Sequence, residues 1–262
     1  LGVIIGTASI VVMISLGLGL SKSTMEQIEQ SGGLTTITVR EGSGMSYSSG
    51  GVAVAVESSS TDENAGKITD STAEEIMDAQ AFLEFLSKRK GLLDAVCISG
   101  GEPTLQPDLV QLFTEIKAMG YLTKLDTNGS RPEALKELVS QGLADYVAMD
   151  IKNCLPRYAQ TAGAAVQTEQ IEASIRFLAE GHVDYEFRTT VVAQLHDTES
   201  INRMGAWVAS LAQGKKIKRW FIQPFADRDT VMFSGFDAPN HRELSEFVDV
   251  LRCFTNETAI RG

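Results

Sequence analysis

The stretch DAVCISGGEPTLQPDLVQLFTEIKAM, residues 94–119, decides how the rest of the chain is read. A short apolar strand at residues 95–99 passes through a Gly-Gly-Glu-Pro turn into an amphipathic helix at 106–119. Strand, glycine turn and helix together form the βα unit of a parallel sheet. The unit repeats outward from here. Further strands read at residues 122–127, 146–151, 185–192 and 218–223, with helices at 132–141, 168–179, 199–212 and 241–253. Such alternation implies parallel βαβ crossovers, so a doubly wound sheet or a full or partial barrel. On the N-terminal side, Ser71-Thr72-Ala73-Glu74 has the form of a capping box. It predicts a helix whose Ile76, Phe82, Leu83, Phe85 and Leu86 keep helical spacing and which stops at Gly91.

In parallel α/β folds, chemistry collects beyond the carboxyl ends of the strands. The first strand here ends in Ser99-Gly100-Gly101-Glu102-Pro103, the second in Asp126-Thr127-Asn128-Gly129 and the third in Asp150-Ile151-Lys152. The fourth carries Glu186, Arg188, Thr189 and Thr190, and the fifth runs into Gln223-Pro224-Phe225. Glycine and asparagine tolerate positive φ, so any one of these could be a plain turn. Five polar strand ends in succession point to a shared rim.

Composition narrows the function. With 262 residues, a net charge of -11 and a pI near 4.8, the chain lacks the basic footprint of a nucleic-acid binder. Acid is concentrated early: residues 1–80 carry 3 Lys/Arg against 10 Asp/Glu. Cys97, Cys154 and Cys253 stand far apart, which excludes a disulfide scaffold and CxxC-type metal sites. Cys97 lies inside a strand and reads as a buried core thiol. His182, His196 and His241 have no ligand spacing and read as surface residues.

Residues 1–20, LGVIIGTASIVVMISLGLGL, carry no charge. As a helix they would span about 30 Å, the hydrocarbon thickness of a bilayer, and they predict a transmembrane helix. Residues 34–40 and 52–56 read as strands around the Ser/Gly-rich run 43–51. The few basic residues in this part favour its translocation. The domain division that follows is a transmembrane helix at 1–20, an extracytoplasmic fragment at 21–70 and an α/β unit at 71–262. Residues 1 to about 78 resemble the start of a macrolide-exporter-type ABC permease, through LGVIIGTASIVVMISLGLG, EQIEQSGG, TTITVR and ITDSTAEEI.

The runs FLEFLSKRKGLLDAVCISGGEPTLQPDL, LDTNGSRPE, DYVAMDIK and DYEFRTTV resemble the radical S-adenosylmethionine activating enzymes. The nearest subgroup is the activating protein of anaerobic ribonucleoside-triphosphate reductase, and the resemblance covers residues from about 80 to 262. It implies a partial (β/α)6 TIM-like barrel, here lacking its first strand, and the cofactors S-adenosylmethionine and a [4Fe-4S] cluster. In that family the cluster's open iron chelates the methionine moiety. One electron then cleaves the sulfonium, and the 5′-deoxyadenosyl radical abstracts hydrogen from a glycine of the reductase. Carried over by residue, the resemblance puts Gly100, Gly101 and Glu102 at the methionine amino group. It puts Asp126, Thr127 and Asp150 around a monovalent cation or polar network, and Lys152 and Arg188 at the carboxylate. Asn128 would meet the ribose, and Gln223 and Phe225 would bound the adenosine side.

One element of the family is absent from this sequence. Its cluster loop is CxxxCxxC, directly after the first strand, and no such motif occurs here. The expectation is therefore an activase-like chain that binds no cluster and has no catalytic or cluster-ligating residues. It would be a chimera of permease-like and activase-like segments, with the edge of residues 95–99 left unpaired. The N-terminal span implies a membrane location, whereas the barrel family implies the cytoplasm and a glycyl-radical reductase partner. The alternatives are a permease fragment, and a cluster-free barrel that binds only a nucleoside or a protein.

Overall fold

The computed structural model describes residues 79–100, 102–226 and 235–261, together with the backbone of four earlier strands. These strands are β1 (Ala8–Met13), β2 (Thr36–Glu41), β3 (Val52–Glu57) and β4 (Glu75–Met77). The chain divides into two compact units, Leu1–Asp126 with Gly142–Asp145, and Thr127–Gln141 with Tyr146–Gly262.

In the first unit, β5 (Ala95–Gly100) and β6 (Leu122–Thr127) pair in parallel, with Ala95 opposite Leu122 and Ile98 opposite Leu125. Helix α1 (Ala79–Ser87) precedes β5 and buries Phe82 and Leu86. Helix α2 (Leu109–Ala118) connects the two strands, and its Leu109, Phe113 and Ile116, spaced i, i+4, i+7, form one buried face. The Tyr121 hydroxyl donates to the Leu86 carbonyl at 2.7 Å, tying α1 to the start of β6. Asp145 accepts from the Lys117 ammonium and from the Thr123 amide, both at 2.7 Å, which fixes the end of α2 against β6.

The other edge of β5 differs from expectation. β3 pairs with it antiparallel, Val52 opposite Gly100 and Glu57 opposite Ala95, so this edge is covered. β1 in turn lies antiparallel to both β3 and β2, and β4 pairs with β2. The transmembrane helix expected over residues 1–20 is contradicted at Ala8–Met13, which is a strand. The sequence ASIVVM holds the β-branched run Ile-Val-Val, which packs well on a pleated surface and loses side-chain freedom in a helix. The rest of residues 1–20 lie outside the described residues. Among the described residues, no helix is long and apolar enough to cross a membrane. The predicted capping box at 71–74 also lies outside them, but Glu75–Met77 is a strand and the helix starts at Ala79.

The second unit holds α3 (Pro132–Ser140) and four strands, β7 (Tyr146–Asp150), β8 (Asp184–Val191), β9 (Ile217–Pro224) and β10 (Thr255–Ile260). These strands pair in parallel in sequence order. Between them come α4 (Tyr158–Ala162), α5 (Thr168–Glu180), α6 (Thr198–Leu211) and α7 (His241–Leu251). Helices α6 and α7 start at capping boxes, Asp197 with Ser200 and Asn240 with Glu243. On the core side Phe187 meets Trp220 edge-on at 5.6 Å. Gly205 of α6 lies against Phe254: a Cβ there would come within 2.3 Å of the ring, so only glycine fits. Six strands, β5 to β10, thus take part in parallel pairs. β10 was not foreseen, because TNETAI shows neither a long apolar run nor clean alternation.

Candidate functional site

The densest group of predicted site residues lies where β7 ends beside β8. Their register sets Asp150 opposite Arg188. Arg188, almost fully buried, donates to Asp150 Oδ1 through Nε at 3.2 Å and Nη2 at 3.1 Å. The Lys152 ammonium reaches Asp150 Oδ2 at 3.0 Å. One carboxylate therefore holds two cations in a fixed geometry, with charge-assisted bonds on both oxygens.

The chain carrying these groups is tied down atom by atom. The Ile151 amide donates to the Arg188 carbonyl at 2.8 Å, and the Thr189 hydroxyl donates to the Ile151 carbonyl at 2.8 Å. Trp220 Nε1 donates to that same hydroxyl at 3.0 Å, leaving Thr189 no rotational freedom. Next along, the fully buried Asn153 amide donates to Thr161 Oγ1 and to the Leu195 carbonyl, both at 2.9 Å. Its Oδ1 accepts from the Cys154 amide at 2.8 Å. His196 Nε2 lies 2.9 Å from the Lys152 carbonyl. His196 was expected at the surface and is instead 4% exposed. A lone histidine in a loop has no periodicity to betray its burial, and Asn153 had no sequence signal beyond its neighbourhood to Asp150; Thr189 was already among the polar residues read on the fourth strand.

The bonds described for the other predicted residues are local. Gly100 closes β5 with φ 145, a conformation that a side chain would strain. Gly101 lies outside the described residues. Buried Glu102 caps the short 3-10 turn Pro103–Leu105, its Oε1 accepting from the Thr104 amide at 3.2 Å and from the Thr104 hydroxyl. Asp126, buried near the end of β6, is 3.3 Å from the Lys124 ammonium. Thr127 Oγ1 accepts from the Gly129 amide at 3.0 Å, and Asn128 Oδ1 from the Ser130 amide at 2.8 Å. Gly129 has φ 76 and packs so closely on Met149 that a Cβ would fall 2.0 Å from its Cε. Phe225 meets Phe236 edge-on at 6.3 Å, and its amide bonds to the Val191 carbonyl.

A family model, described as the radical SAM superfamily, matches residues 56–204. The chain belongs to the radical SAM superfamily. Within it, a Methanocaldococcus jannaschii protein named as a glycyl-radical enzyme activating enzyme is 32% identical over 197 residues, 72% of this chain and 76% of that protein. A 7-carboxy-7-deazaguanine synthase of Neisseria meningitidis is 35% identical over 88 residues, 34% of this chain and 36% of that protein. Among solved structures, a domain of pyruvate-formate lyase-activating enzyme from Bacteroides vulgatus aligns with a TM-score of 0.53 at 22% identity, covering 64% of this chain and 99% of that one. Streptococcus suis SuiB bound to S-adenosylmethionine gives 0.52 at 13% identity, over 70% of this chain and 42% of that one. At these identities the structures speak for the fold alone. The permease resemblance gains no support from these comparisons, and the radical SAM match itself begins at residue 56, upstream of the expected junction.

The radical SAM family implies S-adenosylmethionine and a [4Fe-4S] cluster, and the cysteines of this chain do not fit the cluster. Cys97 is buried in β5, Cys154 is buried at the turn after Asn153, and Cys253 is exposed beyond α7. A cluster needs several thiolates converging on it. Among the described residues, no group of three or more His, Cys, Asp or Glu side chains is arranged to hold a metal ion.

Proposed function

We propose that this chain is a radical SAM activase homologue, of the type that serves anaerobic ribonucleoside-triphosphate reductase, which keeps the ligand-facing polar residues and as it stands does not cleave S-adenosylmethionine. In this reading Lys152 and Arg188 meet the methionine carboxylate, and Gly100, Gly101 and Glu102 meet the amino group. Asp126, Thr127 and Asp150 hold a monovalent cation or a polar network, and Asn128 meets the ribose. The partner is a glycyl-radical reductase, and the compartment is the cytoplasm expected for the barrel family.

The observation that carries the reading is the Asp150, Lys152 and Arg188 group, where the end of β7 pairs with the middle of β8. A guanidinium and an ammonium set side by side suit a carboxylate. The loss of cleavage rests on the separation of the three cysteines. Anaerobic incubation with iron, sulfide, dithionite and S-adenosylmethionine tests it, with chromatographic detection of 5′-deoxyadenosine. No product above the no-protein control is expected, and turnover above that control overturns the reading.

A further inference from the structure

Past β8 the chain folds back on itself. The Leu195 and His196 amides both donate to the Val192 carbonyl, at 3.1 and 2.9 Å, which turns the His196 ring inward. There Nδ1 lies 3.1 Å from the Val192 amide and 3.3 Å from the Val192 carbonyl, and Nε2 lies 2.9 Å from the Lys152 carbonyl. An amide N–H only donates and a carbonyl only accepts, so Nδ1 is bare and Nε2 carries the proton. Both nitrogens of a neutral imidazole are thereby used, and they join the turn after β8 to the turn after β7. A second proton on Nδ1 would forfeit the bond from the Val192 amide and leave only the longer contact to the Val192 carbonyl. Burial is the largest influence on the ring and disfavours that proton; the backbone bonds to Lys152 and Val192 and the charge of Asp197 favour the charged form, and Arg157 opposes it.

The Lys152 carbonyl belongs to the residue whose ammonium reaches Asp150. A lysine side chain is a flexible four-carbon stem, so where its charge can reach depends on how firmly its backbone is held. We propose that His196 is a positioning residue for the Asp150, Lys152 and Arg188 group, tying the Lys152 backbone so that its ammonium stands ready for a ligand carboxylate. This inference rests on the ligand reading above, and the experiment separates the two.

Equilibrium dialysis with labelled S-adenosylmethionine compares the full chain with Arg188→Ala, His196→Leu and His196→Gln, the last of which can still donate to the Lys152 carbonyl. His196→Leu is expected to bind about tenfold more weakly than the unaltered chain, and His196→Gln within about threefold of it. Binding by the unaltered chain should also weaken on acidification below the ordinary histidine range, while His196→Gln shows no such fall. A mere packing role would leave the glutamine variant as weak as the leucine one and the pH profiles alike, and that result overturns the proposal. Unchanged affinity in His196→Leu alongside a weakened Arg188→Ala also overturns it, leaving the ligand reading intact. If Arg188→Ala matches the unaltered chain, or nothing binds, the ligand reading fails instead. Hydrogen exchange of the amides from Ile151 to Cys154 then judges His196: faster exchange in the leucine variant with rescue by glutamine supports the tie, and equal exchange overturns it. Should His196→Leu fail to fold, the contrast in pH profile between the unaltered chain and His196→Gln carries the test.

Discussion

The turn after β5 and the end of β7 each carry an acidic residue, and the bonds described for the two differ in reach. Glu102 caps its own turn, with Thr104 only two residues away donating to its carboxylate. Asp150 is met by Arg188, 38 residues on, and the chain behind it is clamped by Thr189, Leu195 and His196, at separations of 38 to 44 residues. A locally closed turn can be deduced by reading along the chain. A clamped one exists only after β7 and β8 have paired, and its rigidity comes from elements that share no sequence neighbourhood.

Three measurements would break or sharpen this contrast. The largest effect is expected from Asn153→Ala, which removes the donors to Thr161 and Leu195 and the acceptor for Cys154 from a fully buried site. Urea unfolding should show a loss of about 3 kcal/mol. Thr104→Val at the other turn removes the hydroxyl donor to Glu102 while the amide donor stays, and should cost about 1 kcal/mol in the same assay. Equal losses at the two sites would erase the distinction between clamped and locally closed turns. The smallest effect concerns pH. Burial lowers the His196 pKa from its ordinary 6.5, so the unfolded chain takes up a proton more readily than the folded one. The stability tied to the neutral ring is complete above the ordinary value and declines as pH falls through the lower folded one. His196→Gln should flatten that acid limb of a stability-versus-pH curve, and an unaltered slope would show that another group sets it.

Much of the architecture was visible along the chain. Strands expected at 122–127 and 185–192 appear as Leu122–Thr127 and Asp184–Val191, and the helix expected at 168–179 as Thr168–Glu180. Period-2 and period-3.6 patterns are properties of a few consecutive residues, so they survive without tertiary context. The same reasoning failed at Ala8–Met13, where a run without charge fits a strand as well as a membrane helix. It failed at Thr255–Ile260 for the reverse reason, since a strand that is exposed along most of its length needs little apolar pattern.

The candidate site divides along the same line. Gly100, Glu102, Asp126, Asp150, Lys152 and Arg188 could be named as candidates from their positions in and just after the strands of a βα repeat, where chemistry collects in such folds. The absence of a CxxxCxxC run was equally plain in the residues themselves. The partners could not be read this way. That Arg188 falls on Asp150 follows from the register of β7 with β8, and that His196 is buried follows from the fold-back after Val192. Hydrogen bonds between parallel strands and their loops join residues about forty apart, at least one crossover helix being needed between them. A linear pattern therefore carries the chemical groups, and the folded packing alone assigns each group its neighbour.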